Sequence, residues 1–77
     1  MTLTEATKKR TNELLIKNNI SQYRLIKETC LDKTTIQAIF KNKTKDVRMS
    51  TIYLIASAFN MTISEFTNCD YFKDIEL

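Results

Sequence analysis

Small and polar side chains share one side of residues 33–41, a segment that reads KTTIQAIFK. At 3.6 residues per helical turn, four of them fall together: Thr34, Gln37, Ala38 and Lys41. Three large apolar side chains fall on the opposite side: Ile36, Ile39 and Phe40. The spacing therefore predicts a helix with one side in a core and the other free to bind. The free side suits DNA bases, because lysine can donate to guanine, glutamine can pair with adenine, and alanine can pack on a thymine methyl group.

Nothing in the chain is arranged in a comparable way for catalysis or metal binding. The sequence has no histidine and no glycine, hence no glycine-rich phosphate loop, and its carboxylates are scattered over helix ends and exposed sides. Cys30 and Cys69 are too few and too unpatterned for a disulfide framework or a zinc site, so we expect buried or idle thiols. We predict no metal, no cofactor and no enzyme activity, and nothing in the residues suggests a small enzyme.

A second amphipathic segment comes directly before the first one. Its apolar side chains gather with one residue of the connecting turn: Leu25, Ile26, Thr29 and Leu31. Its polar side chains are left to solvent: Gln22, Arg24, Lys27 and Glu28. The two apolar stripes can bury each other only if the helices cross. Ser21 and Asp32 stand where side-chain oxygens can cap the first and the second helix.

Residues 20–43, which read ISQYRLIKETCLDKTTIQAIFKNK, resemble the Cro and phage-repressor type of helix-turn-helix DNA-binding domain. Eight residues stand where that pattern places them: Ser21, Gln22, Leu25, Leu31, Thr35, Ile36, Ile39 and Lys43. The resemblance extends over about residues 14–66. It implies an all-α fold, a compact five-helix lambda-repressor-like DNA-binding domain with a short C-terminal extension and a helix-turn-helix at residues 21–41.

The resemblance also implies which residues contact DNA. The positions that read bases, or neighbour those that do, hold Lys33, Thr34, Gln37 and Ala38. The positions expected to contact phosphates hold Gln22, Thr35, Lys41, Lys43, Thr44, Lys45 and Arg48. Gln22 could instead be a solvated surface residue, and the lysine-rich flank could serve solubility alone. We favour phosphate contact because these charges adjoin the predicted reading helix; Lys8, Lys9 and Arg10 are weaker candidates.

Two departures from the family pattern test the resemblance. The family usually has glycine at four helix ends, where this chain has Asn19, Cys30, Asn42 and Asn60. Asparagine tolerates the left-handed conformation best among non-glycine residues, whereas a left-handed cysteine would cost on the order of 1 kcal/mol. The family also often pairs an arginine with a glutamate, where this chain has Leu15 and Phe40. Because both partners are apolar here, we predict that their side chains touch.

Charge is divided between the two parts of the chain. Residues 1–48 carry a net charge of +6 and residues 49–77 a net charge of −3, so the positive part coincides with the predicted DNA-facing part. The 77 residues, 43% of them hydrophobic, suffice for one small core. No run approaches the roughly 20 apolar residues of a membrane span, and the N-terminus lacks a signal peptide's hydrophobic stretch. We expect a cytoplasmic protein without membrane contact.

The helical periodicity predicts helices at about residues 3–18, 21–29, 33–41, 51–59 and 63–67. Thr2 with Glu5 and Thr62 with Glu65 have the spacing of capping boxes, and Ser50 is the expected cap of the fourth helix. Residues 1–67 should form the domain. The tail, residues 68–77, either covers its own core or joins a two-fold dimer contact. We favour the dimer contact, built from four apolar side chains: Phe66, Tyr71, Phe72 and Ile75.

These observations favour a homodimeric, sequence-specific regulator that binds double-stranded DNA, of repressor type and acting by operator occupancy. The alternative is a helix-turn-helix module, of antitoxin or anti-repressor type, that binds a partner protein through its apolar tail. The predicted reading helix has no arginine, which supports this alternative, because bidentate arginine is the most common specific contact to a base. Salt-dependent DNA affinity would separate the two hypotheses.

Overall fold

The computed structural model describes residues 1–44 and 46–76. Five α-helices follow one another, and a single 3-10 turn precedes the C-terminus. Their bounds are α1 Leu3–Asn18, α2 Gln22–Thr29, α3 Lys33–Phe40, α4 Met49–Ala58, α5 Ile63–Thr67 and η1 Asp70–Phe72. The all-α class and the predicted order of five helices are confirmed. None of the described helices is long and apolar enough to cross a membrane.

One apolar cluster joins α1, α3, α4 and α5. Its buried members are Leu14, Ile36, Ile39, Ile52, Ile55, Ala56 and Phe66. Helix α1 contacts α3, α2 contacts α4, and α4 contacts α5. The two helices of the helix-turn-helix, α2 and α3, therefore pack against different helices of the domain. Leu15 is also buried and Phe40 is half-buried. These two residues lie on contacting helices, and the direct contact between their side chains stays a prediction.

Side-chain caps start three of the helices as predicted. Thr2 with Glu5 and Thr62 with Glu65 form complete capping boxes. The Ser21 Oγ accepts a hydrogen bond from the Arg24 N–H at 3.2 Å. Each of these oxygens satisfies an amide of the first helical turn, which has no partner within the helix.

Two predicted caps are wrong. Asp32 occupies the N-cap position of α3, but its exposed carboxylate makes no capping hydrogen bond, and only its carbonyl accepts amides of the first turn. Helix α4 starts two residues earlier than expected, because the Arg48 carbonyl accepts the Ile52 N–H at 3.1 Å. Ser50 therefore lies inside the first turn of α4. The prediction relied on apolar residues, and the buried side of α4 begins only after the first residues of the helix, so the predicted start was too late.

The three asparagines expected at left-handed helix ends have positive φ, and so does Cys30, for which the sequence left the conformation open. The angles are 54° at Asn19, 57° at Cys30, 54° at Asn42 and 58° at Asn60. The chain thus makes its turns without glycine. Cys30 is exposed and Cys69 half-buried, both as free thiols, so of the two expected possibilities, buried or idle, burial does not apply to Cys30.

Three threonines of α1 are fully buried against the core. The Thr7 hydroxyl donates to the Leu3 carbonyl at 2.8 Å, and the Thr11 hydroxyl donates to the Thr7 carbonyl at 2.7 Å. The Thr4 hydroxyl has no partner among the described residues. A buried hydroxyl without a partner opposes folding, because unfolding returns it to water.

We expect Thr4→Val to raise the free energy of unfolding by about 1 kcal/mol, because valine keeps the shape and removes the unpaired hydroxyl. Urea denaturation of the two proteins measures the difference. Thr11→Val is the matched control, since it removes a hydroxyl that has a partner and should bring no gain. Equal or lower stability of the Thr4 variant would show that the hydroxyl is satisfied.

We expect Cys30→Gly to raise the free energy of unfolding by about 1 kcal/mol, because glycine has no side chain to oppose a φ of 57°. Cys30→Ala, which removes the thiol and keeps Cβ, is the control and should give no comparable gain. Thermal unfolding under reducing conditions compares the three proteins. A gain of the same size in both variants would trace the effect to the thiol.

Candidate nucleic-acid interface

Helix α3 is anchored by its apolar side and is exposed at both ends of its polar side. Ile36 and Ile39 are 0% and 3% exposed, which fixes the helix against the core. Lys33 and Thr34 at its start and Lys41 at its end are exposed. The helix is therefore fixed by the core, and the two ends of its polar side are open to a ligand.

The remaining predicted base-reading residues are less accessible. Gln37 and Ala38 are half-buried, as is Thr35, which was predicted to contact a phosphate. Side chains at positions 34 and 38 lie one above the other on the helix, because four residues make about one turn. The first and middle parts of α3 thus present different chemistry: a long lysine at the start and short side chains after it.

The basic flank follows α3 without an intervening helix. The chain turns away through the left-handed Asn42, and the Lys43 N–H donates to the Ala38 carbonyl at 2.9 Å. Four predicted phosphate-binding residues of the flank are exposed: Lys41, Lys43, Thr44 and Arg48. The fifth, Lys45, lies outside the described residues. Gln22 is exposed at the first position of α2, next to the Ser21 cap.

The cations near α3 have no carboxylate partner among residues 1–44 and 46–76. The ion pairs of the described chain join Arg10 to Glu13, Arg24 to Glu28, Lys73 to Asp70 and the N-terminus to Glu76. None includes Lys33, Lys41, Lys43 or Arg48. Their charge is therefore available to an external anion, and a phosphate backbone is such an anion.

A groove of about 490 Å³ lies between α3 and residues 44 and 46–51. It brings together five of the predicted site residues: Thr34, Thr35, Ala38, Thr44 and Arg48. The other described ones lie outside it: Gln22, Lys33, Gln37, Lys41 and Lys43. The predicted residues thus divide into a groove set and a surrounding, mostly charged set.

Four residues of the groove were missed by the sequence analysis: Asp46, Val47, Ser50 and Thr51. Asp46 entered only as one charge among many, and Ser50 only as a helix cap. Their place in a groove depends on how the segment after α3 folds back beside that helix, for which the helical periodicity carries no signal. Among the described residues, no cluster of three or more potential ligand side chains could hold a metal ion.

A family model described as the Cro/C1-type HTH DNA-binding domain matches residues 11–71, which is most of the chain. The chain belongs to this family of helix-turn-helix DNA-binding domains. No curated protein and no solved structure gives a significant match.

The Cro/C1-type domain extends beyond α5 into a tail that folds back on α1. The Phe66 and Phe72 rings lie 6.0 Å apart between centroids, and Glu76 forms a parallel bridge with Thr2. The Glu76 N–H donates to the Met1 carbonyl at 3.0 Å. The tail therefore covers its own core, the outcome that we did not favour from the sequence.

The four predicted dimer-contact residues differ in exposure. Phe66 is fully buried, so it has no side-chain surface to offer a second copy unless its ring leaves the core. Tyr71, Phe72 and Ile75 are half-buried and keep part of their surface outward. Their contact with a second copy stays a prediction.

A polar network fastens this tail to α1. The Tyr71 hydroxyl donates to Glu13 Oε2 at 2.8 Å, and Arg10 pairs with Glu13 Oε1 at 2.8 Å. Arg10 also donates to the Phe66 and Glu65 carbonyls at 2.8 and 3.2 Å and so caps the C-terminal end of α5. Arg10, by sequence a weak candidate for DNA contact, is thus tied into the fold.

The polar network shifts the pKa values of Glu13 and Tyr71. The Tyr71 hydroxyl, followed by the Arg10 guanidinium, lowers the pKa of Glu13 below its ordinary value of 4.5. The same hydrogen bond raises the pKa of Tyr71 above its ordinary value of 10.0. Both shifts favour the bond between a neutral tyrosine and a charged carboxylate.

We expect Tyr71→Phe to destabilise the fold at pH 7 and to do so less at pH 3. The lowered pKa of Glu13 means that its contribution to stability is present above pH 4.5 and is lost as the pH falls through the folded-state pKa. Urea unfolding at the two pH values measures the difference. Tyr53→Phe, on an exposed side chain of α4, is the control and should show no such pH dependence. A penalty that is the same at both pH values would contradict the bond.

Proposed function

We propose that this domain is a homodimeric transcriptional repressor that acts in the cytoplasm by occupying an operator. The observation that carries the proposal is the exposed start of α3, at Lys33 and Thr34, next to exposed basic residues that have no described carboxylate partner. A helix with this environment can enter the major groove while its flank contacts the backbone. An operator that overlaps a promoter would then be closed to polymerase.

Each predicted contact has a role in this proposal. Lys33 and Gln37 would hydrogen-bond to base edges, and Thr34 and Ala38 would pack against them. Gln22 would bind a phosphate at the start of α2, where the free amides of the first turn favour an anion. The remaining phosphate contacts would come from the side of α3 and its flank: Thr35, Lys41, Lys43, Thr44, Lys45 and Arg48.

The dimer is proposed because one such domain makes a small DNA interface. Two copies would double it and would place their α3 helices about 34 Å apart, one turn of the duplex. Tyr71, Phe72 and Ile75 would supply the apolar surface, supported from beneath by the buried Phe66. This surface belongs to the acidic part of the chain, so it need not compete with the basic part for DNA.

The alternative is a module that binds a partner protein through the tail. Phe72 packs against Phe66, and Tyr71 is bonded to Glu13, which leaves less tail surface for a partner protein and for a second copy alike. The missing arginine of α3 remains the feature that favours this alternative. A domain of this second kind would enrich no duplex sequence.

Selection of bound fragments from random duplex DNA tests the proposal. We expect a palindromic consensus whose half-sites lie about one helical turn apart, because a two-fold dimer reads the same sequence twice. A consensus without palindromy would contradict the dimer, and no enrichment would contradict the repressor itself.

Salt titration of the selected duplex tests the flank. Lys43→Ala should reduce the slope of log affinity against log salt by about one per subunit, because one phosphate contact is lost. Lys73→Ala is the matched control, since Lys73 pairs with Asp70 at 2.9 Å in the acidic tail and should leave the slope unchanged. Equal slopes for all three proteins would exclude Lys43 from the interface.

A further inference from the structure

We propose that Tyr23 and Lys27 form a second phosphate contact on α2, in which the Tyr23 ring holds the Lys27 ammonium against the DNA backbone beside Gln22. Lys27 would bind the phosphate, and Tyr23 would act through it as a positioning residue. This inference rests on the proposed function, because it needs the start of α2 to lie on the backbone of duplex DNA. It adds to the interface two residues that lie outside α3 and its basic flank.

The two side chains form a pair on the outer surface of α2. The Lys27 Nζ lies 4.7 Å from the centroid of the Tyr23 ring, which is within the range of a cation–π interaction. Tyr23 is 68% exposed, and Lys27 is exposed as well. The buried side of α2 consists of Leu25 and Thr29, so the pair takes no part in the core. Packing of the fold therefore does not account for an aromatic ring at this position.

Helix geometry carries the ammonium group toward the start of α2. Tyr23 and Lys27 are four residues apart, and side chains on a helix lean toward its N-terminus. The lysine therefore reaches back over the ring to the first helical turn, where Gln22 is exposed at the first position. The positive charge is thus held beside the residue that is proposed to bind a phosphate.

No carboxylate among the described residues neutralises this ammonium group. Glu28, the single acid of α2, pairs with Arg24 at 3.1 Å. Within residues 1–44 and 46–76, Lys27 takes part in no ion pair. The first turn of a helix carries a partial positive charge, which disfavours a cation held there. An external anion would offset this repulsion, and a phosphate group is the anion that DNA supplies along each strand.

The ring limits the positions that the lysine side chain can occupy. A free lysine loses rotamer freedom when it binds, and this loss lowers the affinity. A lysine that already lies over a ring has lost part of that freedom before it meets DNA. The ring also leaves the positive charge in place, whereas a carboxylate partner would compete with the phosphate. Tyr23 thus prepares Lys27 for an external anion.

Salt titration of a duplex from the selection experiment tests the lysine. Lys27→Ala should reduce the slope of log affinity against log salt by about one per subunit. Lys73→Ala, in the acidic tail, is again the matched control and should leave the slope unchanged. Methylphosphonate replacement of single phosphates then locates the contact. One position in each half-site should weaken binding of the original protein and have no effect on the Lys27→Ala variant.

Variants of Tyr23 test the positioning role of the ring. Tyr23→Leu should weaken binding about two- to fivefold, which is the factor that an exposed cation–π contact contributes. Tyr23→Phe keeps the face of the ring and should bind as tightly as the original protein. In the Lys27→Ala background, Tyr23→Leu should have no further effect, because the ring acts only through the lysine. Fluorescence anisotropy measures the affinities, and circular dichroism confirms that each variant is folded.

Three outcomes overturn the inference in distinguishable ways. If a consensus is enriched but Lys27→Ala leaves the salt slope unchanged, the second phosphate contact is wrong and the proposed function stands. If Tyr23→Leu weakens binding equally with and without Lys27, the ring does not act through the lysine. If no duplex sequence is enriched, the inference and the proposed function fail together.

Discussion

The anchoring of α3 by Ile36 and Ile39 is the constraint on which the rest of the structure depends. Both side chains are buried in the cluster that joins four of the five helices, so α3 cannot rotate without opening the core. This anchoring decides which side chains remain outside. An eight-residue helix would be unstable alone, and tertiary packing gives it a fixed position.

The division of charge supports the same arrangement. Carboxylates pair with cations on α1, α2 and the tail, while the described cations beside α3 have no such partner, as is also true of Lys8, Lys9, Lys17 and Lys27. Arg10 is not free to bind an external anion, because its guanidinium donates to Glu13 and to two carbonyls at the end of α5. Fewer cations are therefore free of carboxylate partners than the count of basic residues suggests.

The chain belongs to the Cro/C1-type family although it lacks the glycines that are usual at helix ends in that family. Asparagine takes three of these positions and Cys30 the fourth, all with positive φ. The backbone geometry of the motif is thus retained while its side chains change. Cysteine does not favour the left-handed conformation that Cys30 adopts. The turn between α2 and α3 is therefore held in this conformation by the helices on either side.

The sequence by itself determined the helical class, the order of the helices and the sides of α3, because these depend on a 3.6-residue period that short windows contain. It also determined the left-handed ends at the three asparagines and three of the caps, which depend on local residue types such as Asn60 and Thr62. Only the tertiary structure decided where Ser50 and Asp46 lie, that Arg10 closes α5, and that Phe72 covers Phe66. Each of these outcomes joins residues that are far apart in the chain or fixes how a nonhelical segment folds back. No local pattern of residues encodes such contacts.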